Sequence, residues 1–406
     1  MDPLAKLASL AENMRFEPSE ELILPHLEER RMPGFGADQP RPPEVACPAG
    51  VALKDLPIYR AVGPGGRRMP LLKTLLTSAC ERDCYYCACR AGRDFRRATF
   101  QPDELARTFM ELHRARRVDG LFLSSGVAGG GVRTQDRLIA TAEILRGKLG
   151  FRGYLHLKLM PGAEWAQVER AMQLADRVSI NLEAPNTARL GQLAPHKTFL
   201  EELLTRLEWV EQIRQNQPPE LGWKGRWPST TTQFVVGGAD ETDLELLQTT
   251  QGLYRRLRLA RAYYSGFAPV AGTPLEERAA VDPWRQSRLY QASFLLRDYG
   301  FDVEDLPFGG SGALPLDVDP KLAWARLNLA EAPLEINRAD RHELLRIPGI
   351  GPKSAETILQ ARAHGKLTSL EGMKALGIPV RRAVPFLLID GRRPETQLSF
   401  FANLGY

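Results

Sequence analysis

Three thiols stand close together in the stretch Cys80-Glu-Arg-Asp-Cys84-Tyr-Tyr-Cys87. Three is an informative number. A closed structural zinc site takes four protein ligands, and an ordinary iron–sulfur cluster takes four thiolates. Three cysteines on a four-iron cluster leave one iron open to a further ligand, and an open coordination position can do chemistry. A zinc knuckle or a chance cluster is the alternative that these residues leave standing. The chain has five cysteines, four of them between Cys80 and Cys89. That crowding points to metal binding and not to a disulfide framework. Cys89 reads as a structural or incidental thiol, and Cys47, in the Pro-rich run Pro40–Pro48, is given no role.

The spacing C-x3-C-x2-C, with an aromatic residue just before the last cysteine, resembles the signature loop of the radical S-adenosylmethionine (SAM) enzymes. The resemblance implies that Cys80, Cys84 and Cys87 ligate a [4Fe-4S] cluster and that Tyr86 lies beside the SAM adenine. It implies that the amino and carboxylate groups of SAM chelate the open iron, and that one electron cleaves SAM to methionine and a 5′-deoxyadenosyl radical. The cofactor carries that reaction, while the protein binds, orients and excludes side reactions.

Such a loop needs a scaffold. An apolar, strand-like run at 70–77 leads into it, and strands and helices then alternate. Strands are expected at 120–125, 154–160, 177–183, 230–236 and 261–267. Helices are expected at 102–117, 134–149, 163–175, 198–215, 241–257 and 283–299. Alternation of this kind predicts an α/β fold, a parallel sheet covered by helices. Six units are too few for a closed eight-fold barrel and resemble the partial (β/α)6 barrel of the radical SAM family.

In barrels of this type chemistry gathers where strands end, and the strand ends pick out further candidates. Ser124, Ser125 and Gly126 stand where the family has a Gly-Gly-Glu-like loop that meets the SAM amino group, but here no carboxylate is present. A plain glycine-permitted turn is the competing reading. Asn181 and Glu183, two residues apart on the expected strand, share a face with Leu182 opposed. The resemblance implies that they contact the SAM ribose or methionine. Gln233 and Tyr264 are further candidates, and a hydrogen-bonded core polar residue is the competing reading for each of these four. Arg90, Arg93, Arg96 and Arg97 could hold a carboxylate or phosphates, or form a solvated surface run.

A second constellation lies near the C-terminus. Arg341 to Leu359 reads as two helices joined by Pro348-Gly-Ile-Gly351, with Pro352 suited to a first helical turn. Glycines let backbone N–H groups approach a phosphate, and the positive end of the second helix faces it. Lys353 opposes the helix dipole there, a placement that a nearby anion would favour. This resembles the helix-hairpin-helix motif of DNA repair and recombination proteins, which implies that Gly349, Gly351 and Lys353 hold a nucleic-acid backbone without reading its sequence. Residues 376–383 form a degenerate second copy, with Arg381 at the Lys353 position and Pro379 in place of the second glycine. A helical module that docks a protein is the alternative.

The organisation expected is an N-terminal extension at 1–69, with a short helix at 5–15 and irregular structure at 30–50. A partial barrel at 70–308, a linker at 309–335 and a small all-α helix-hairpin-helix module with its tail at 336–406 follow. With 43% hydrophobic and 25% charged residues the composition is that of an ordinary globular protein. A net charge of +5 is compatible with nucleic acid without arguing for it. No secretory signal and no apolar run of spanning length is seen, so a cytoplasmic location away from membranes is expected. Both halves together resemble radical SAM proteins with a C-terminal helix-hairpin-helix module, assigned to DNA modification or repair. Members are often encoded beside a uracil-DNA-glycosylase-like protein. The resemblance implies DNA as partner, that glycosylase-like protein as a second, and an electron donor such as flavodoxin or ferredoxin. A radical SAM enzyme acting on a small molecule or protein, and a DNA-binding scaffold without radical chemistry, are the alternatives.

Overall fold

The computed structural model describes residues 1–11, 56–62 and 68–394. Cys47, the expected irregular stretch at 30–50 and the end of the expected helix at 5–15 lie outside the described residues. The chain divides into two compact units, 1–241 with 252–286 and 242–251 with 287–406.

The first unit is built on a seven-stranded sheet whose spatial order follows the sequence: β1 (Ile58–Val62), β2 (Arg68–Leu75), β3 (Gly120–Ser124), β4 (Tyr154–Lys158), β5 (Arg177–Ser179), β6 (Ser229–Val236) and β7 (Arg261–Gly266). Strands β2 to β7 are parallel, and β1 adds antiparallel to β2. β1 and β7 are not paired with each other, so the sheet is an open, partial barrel. Every residue of β3 and β4 is buried. β3, Gly-Leu-Phe-Leu-Ser, reads as the near-continuous apolar run of a parallel strand covered on both faces, whereas β4, Tyr-Leu-His-Leu-Lys, carries two polar residues. β1 does not stand out. Five residues of mixed character, Ile-Tyr-Arg-Ala-Val, carry too little pattern, and the expected N-terminal extension therefore supplies a strand.

Helices cover the sheet between strands. α1 (Pro3–Ala11) is fastened to α2 (Pro102–Arg114) by Lys6, whose Nζ lies 2.6 and 2.8 Å from the two Glu104 oxygens. α2 buries Leu105, Phe109 and Leu112 on one stripe. α3 (Gly131–Glu143), α4 (Trp165–Leu174), α5 (Thr187–Leu193), α6 (Thr205–Asn216), α7 (Asp243–Leu257) and α8 (Pro283–Asp298) follow in chain order. The division between the units falls inside α7 and α8.

The second unit contains α9 (Pro320–Asn328), which occupies part of the stretch expected as a linker, and the helices α10 (Arg341–Arg346), α11 (Pro352–His364) and α12 (Leu370–Ala375). Ile336, Leu344, Ile347, Ile350, Ala355, Ile358 and Met373 form its core. A two-stranded parallel pair, β8 (Leu334–Glu335) with β9 (Leu387–Leu388), joins the two ends of this helical module. Among the described residues no helix is long and apolar enough to cross a membrane.

Candidate metal and cofactor site

The cysteine loop leaves β2 and returns beside it. Thr77 pairs with Thr99, the Ser78 amide donates to the Ala98 carbonyl at 3.0 Å, and the Phe100 amide donates to Leu76 at 2.8 Å. Arg97 holds the loop in shape. Its guanidinium donates to four main-chain carbonyls, Ser78 at 2.8 Å, Cys89 at 3.0 Å, Arg90 at 2.9 Å and Arg93 at 3.2 Å. Arg93 donates to Ala88 at 3.0 Å and Ala271 at 2.8 Å, and both arginines lie over the Phe95 ring. Neither expectation for the arginine run therefore describes Arg93 and Arg97. They are spent on carbonyls that an irregular loop leaves without ladder partners.

Two neighbouring loops brace the cysteines. On one side the Gly126 amide donates to Thr77 and the Glu81 amide to Val127, both at 2.8 Å. The Glu81 carboxylate accepts the Gly129 and Gly130 amides, each at 3.0 Å. On the other side Arg82 donates to the His196 carbonyl at 2.7 Å and pairs with Glu202 at 2.5 Å. Asp83 meets His196 Nδ1 at 2.7 Å, and the Tyr85 amide donates to Leu193 at 2.7 Å.

These loops, with the ends of β2 to β6, line a pocket holding about 980 Å³ of empty space, open solvent included. Cys80, Cys84, Cys87, Tyr86, Ser124, Ser125, Gly126, Asn181, Glu183 and Gln233 all line it. Tyr264 does not. It is fully buried and stacked on Phe234, a core residue.

Asn181 and Glu183 reach the cavity by a route other than a regular strand. β5 ends at Ser179. The Thr232 hydroxyl then takes the place of the ladder, donating to the Ile180 carbonyl at 2.8 Å and accepting the Leu182 amide at 3.2 Å. Pairing resumes for one residue, Glu183, opposite Phe234. Glu183 has a φ of +66°, a conformation uncommon outside glycine and costly where it is not imposed by surrounding structure. The expected alternation along 177–183 is thus interrupted.

Sequence reasoning missed two cations on the same cavity wall. Lys158 Nζ donates to Asn181 Oδ1 at 2.5 Å. Lys197 Nζ lies 3.2 Å from Glu183 Oε1, with side chains only 10% and 7% exposed. Burial alone would push Lys197 down, but the charges of Cys84 and Glu183 outweigh it and hold its ammonium form above the usual lysine range. No motif marks Lys197. It is placed by the contacts that Arg82 and Asp83 make to its neighbour His196.

The residues present fit an iron–sulfur cluster and a bound cosubstrate. The three thiols share one cavity, and no disulfide engages them. Burial pushes Cys84 up to about 12, with Lys197 opposing, and burial also raises Cys80. Cys87 is raised by its contact with Cys89 and then by burial. A thiol that coordinates a metal gives up its proton to do so. Among the described residues no three His, Cys, Asp or Glu side chains gather around one point as a single ion requires, and a four-iron cluster takes one thiolate per iron instead. Among the described residues Glu183 Oε2 is buried and has no hydrogen-bond partner, a cost that a cationic or hydroxylated ligand in the cavity removes. Tyr86 is held protonated by burial and then by the Glu183 charge.

In the second unit α10 and α11 are joined by a hairpin in which Gly349 has a φ of +86° and Gly351 caps α11. Lys353 is exposed in the first turn of α11. The second copy has lost its second helix. Among the described residues α12 is followed by two 3-10 turns, Val380–Arg382 and Val384–Phe386, so Arg381 is exposed but stands at no α-helix terminus. Pro379 and Arg382 back the first hairpin, since a side chain on Gly349 would meet the Pro379 carbonyl oxygen at 3.0 Å and Arg382 Cβ at 3.3 Å. The Arg382 guanidinium itself pairs with Asp319. Lys321 of α9 fastens the hairpin from below, donating to the Ile350 carbonyl at 2.5 Å.

Residues 74–251 match the radical SAM superfamily, and residues 330–377 match the helix-hairpin-helix motif. No curated protein matches the chain. Among solved structures it is similar to methylornithine synthase (PylB), at 14% identity over 56% of this chain and 61% of that one, with a TM-score of 0.45. It is similar to the FeFe-hydrogenase maturase HydG from Carboxydothermus hydrogenoformans, at 13% identity over 56% of this chain and 51% of that one, with a TM-score of 0.44. Coproporphyrinogen III oxidase (HemN) from Escherichia coli, a radical SAM enzyme, gives 14% identity over 56% and 52%, with a TM-score of 0.34. The chain spans between half and two thirds of the length of these structures.

Proposed function

The chain carries a radical SAM domain and a helix-hairpin-helix motif, enzymes of that superfamily use a [4Fe-4S] cluster and SAM, and from this premise we propose that it performs radical chemistry on DNA or its nucleotides, in modification or repair. The observation that supports this reading is the union of three free thiols and an unsatisfied buried carboxylate oxygen in one cavity at the strand ends. Cys80, Cys84 and Cys87 hold the cluster, which with SAM supplies a 5′-deoxyadenosyl radical by reductive cleavage. The surrounding residues do the rest. Tyr86, Ser124, Ser125 and Gly126 shape the wall that receives the adenosyl group. Asn181, Glu183 and Gln233 offer hydrogen bonds to its polar atoms, with Asn181 and Glu183 each steadied by a lysine.

The nucleic-acid part of the proposal rests on the hairpin. Gly349, Gly351 and the start of α11 present backbone N–H groups with Lys353 beside them, an arrangement suited to a phosphate. Such binding is independent of sequence and weakens with salt as counterions are released. A base inside a duplex is closed to a cavity of this kind, so the substrate nucleotide is flipped out or already unpaired. A low-potential donor of the flavodoxin or ferredoxin kind supplies the electron, and the uracil-DNA-glycosylase-like partner belongs to the same proposal.

Fluorescence anisotropy of labelled single- and double-stranded DNA, titrated with the full protein at several salt concentrations, tests this reading. Binding should weaken with salt, and Lys353→Glu should weaken it about tenfold or more while leaving iron content unchanged. Wild-type protein with full iron and no salt-dependent binding to either DNA would turn the search toward a small-molecule or protein substrate.

A further inference from the structure

Lys197 is the residue in the cavity that neither a motif nor the fold of the strands accounts for. It sits on the loop after α5, and the cysteine loop itself holds that loop in place: Arg82 grips the His196 carbonyl at 2.7 Å and Asp83 the His196 ring at 2.7 Å. The Lys197 amide donates to Ala194 at 2.9 Å, closing the turn from which the side chain extends. Its side chain is nine-tenths buried and lines the same cavity as the three thiols, and its ammonium pairs with Glu183 at 3.2 Å. The ion pair uses Oε1, and among the described residues Oε2 has no hydrogen-bond partner. Burying a lysine is costly unless it answers a concentration of negative charge, and Glu183 balances it already. The three cysteines, once they are thiolates, are the further negative charge that this cation faces.

We propose that Lys197 is a positioning residue that tunes electron uptake, a fixed positive charge raising the reduction potential of the iron–sulfur cluster on Cys80, Cys84 and Cys87, with Glu183 as its opposing counterweight. Cluster potentials respond to net charge, to hydrogen bonds at sulfur and to solvent exposure. A buried cation stabilises the reduced state, which carries one more negative charge, more than the oxidised one. The step it favours is the transfer of one electron from a low-potential one-electron donor, which is thereby oxidised by one electron. No bond breaks, and no proton is needed from Lys197. The clamp from Arg82 and Asp83 to His196 keeps the charge in place, so the loop that carries the cysteines also sets their electrostatic surroundings.

The proposal rests on the cluster reading but not on a nucleic-acid substrate, and its test separates the two. Full-length protein is reconstituted anaerobically, iron and sulfide are quantified, and the cluster is titrated against redox mediators with its reduced form followed by electron paramagnetic resonance. Wild-type protein that holds no Cys84-dependent cluster would remove the reading itself. With a cluster present, Lys197→Met should lower the equilibrium constant for one-electron reduction at least tenfold, a negative shift of 59 mV or more. Lys197→Arg should stay within threefold of wild type, and Glu183→Gln should shift the potential the opposite way. Should Lys197→Met fail to load iron, Lys197→Arg and Glu183→Gln decide the matter. An unchanged potential in Glu183→Gln, or in an iron-replete Lys197→Met, overturns the proposal.

Discussion

A methyl group added at Gly126 would overlap the carbonyl of Ala79, the residue just before the first cysteine of the loop. The contact belongs to a backbone, which cannot move aside as a flexible side chain can. Gly126→Ala should therefore push the cysteine loop away from the strand ends and cost about 1–3 kcal/mol, as overpacking does. Iron per chain after reconstitution measures the effect, and a fall below half of wild type is expected. Full iron and unchanged thermal unfolding would show that the loop has room that its geometry denies. At this scale the sequence was readable where chemistry and spacing coincide, as in Cys80, Cys84 and Cys87. It was unreadable for Lys197 and Arg97. The Arg82–Glu202 and Arg82–His196 contacts that place Lys197 join positions more than a hundred residues apart, and Arg97 is identified only by the carbonyls it reaches.

Among the elements, β3 and β4 announced themselves by unbroken burial, whereas β1 and the end of β5 did not. Five residues carry little pattern, and the break after Ser179 is made by the Thr232 hydroxyl on another strand. α9 went unread for a different reason: a proline at its first position and prolines before it look like a linker. That helix delivers Lys321, which is nearly buried beneath the hairpin. Burial pushes the Lys321 ammonium down to about 7 from 10.5, with Asp319 opposing and Arg382 assisting. Between those values the unfolded chain binds more protons than the folded one, so the stability of the second unit should rise as pH climbs from about 7 toward 10. Below about 7 the lysine is charged in both states, the cost of its burial is fully present, and this pH dependence fades. Thermal unfolding of full-length wild-type and Lys321→Met protein across pH 6 to 10 reads the difference. A rise in wild type that Lys321→Met largely removes is expected, and the same slope in both would show that Lys321 does not titrate in this window.

For the molecule as a whole, the two units carry two kinds of chemistry: free thiols and a charged cavity in one, and a glycine hairpin with exposed cations in the other. The parallel order of β2 to β7 and the open sheet follow from a simple alternation of strands and helices, and that alternation was legible. Residues 74–251 match the radical SAM superfamily and residues 330–377 the helix-hairpin-helix motif. Whether both act on one substrate is the central claim. Its most direct measurement is 5′-deoxyadenosine release by anaerobically reconstituted protein with dithionite and SAM, with and without single- and double-stranded DNA, beside Cys84→Ala. The account predicts release that Cys84→Ala abolishes and that DNA increases several-fold. Release that DNA leaves unchanged, or no release from an iron-replete wild-type protein, would contradict it.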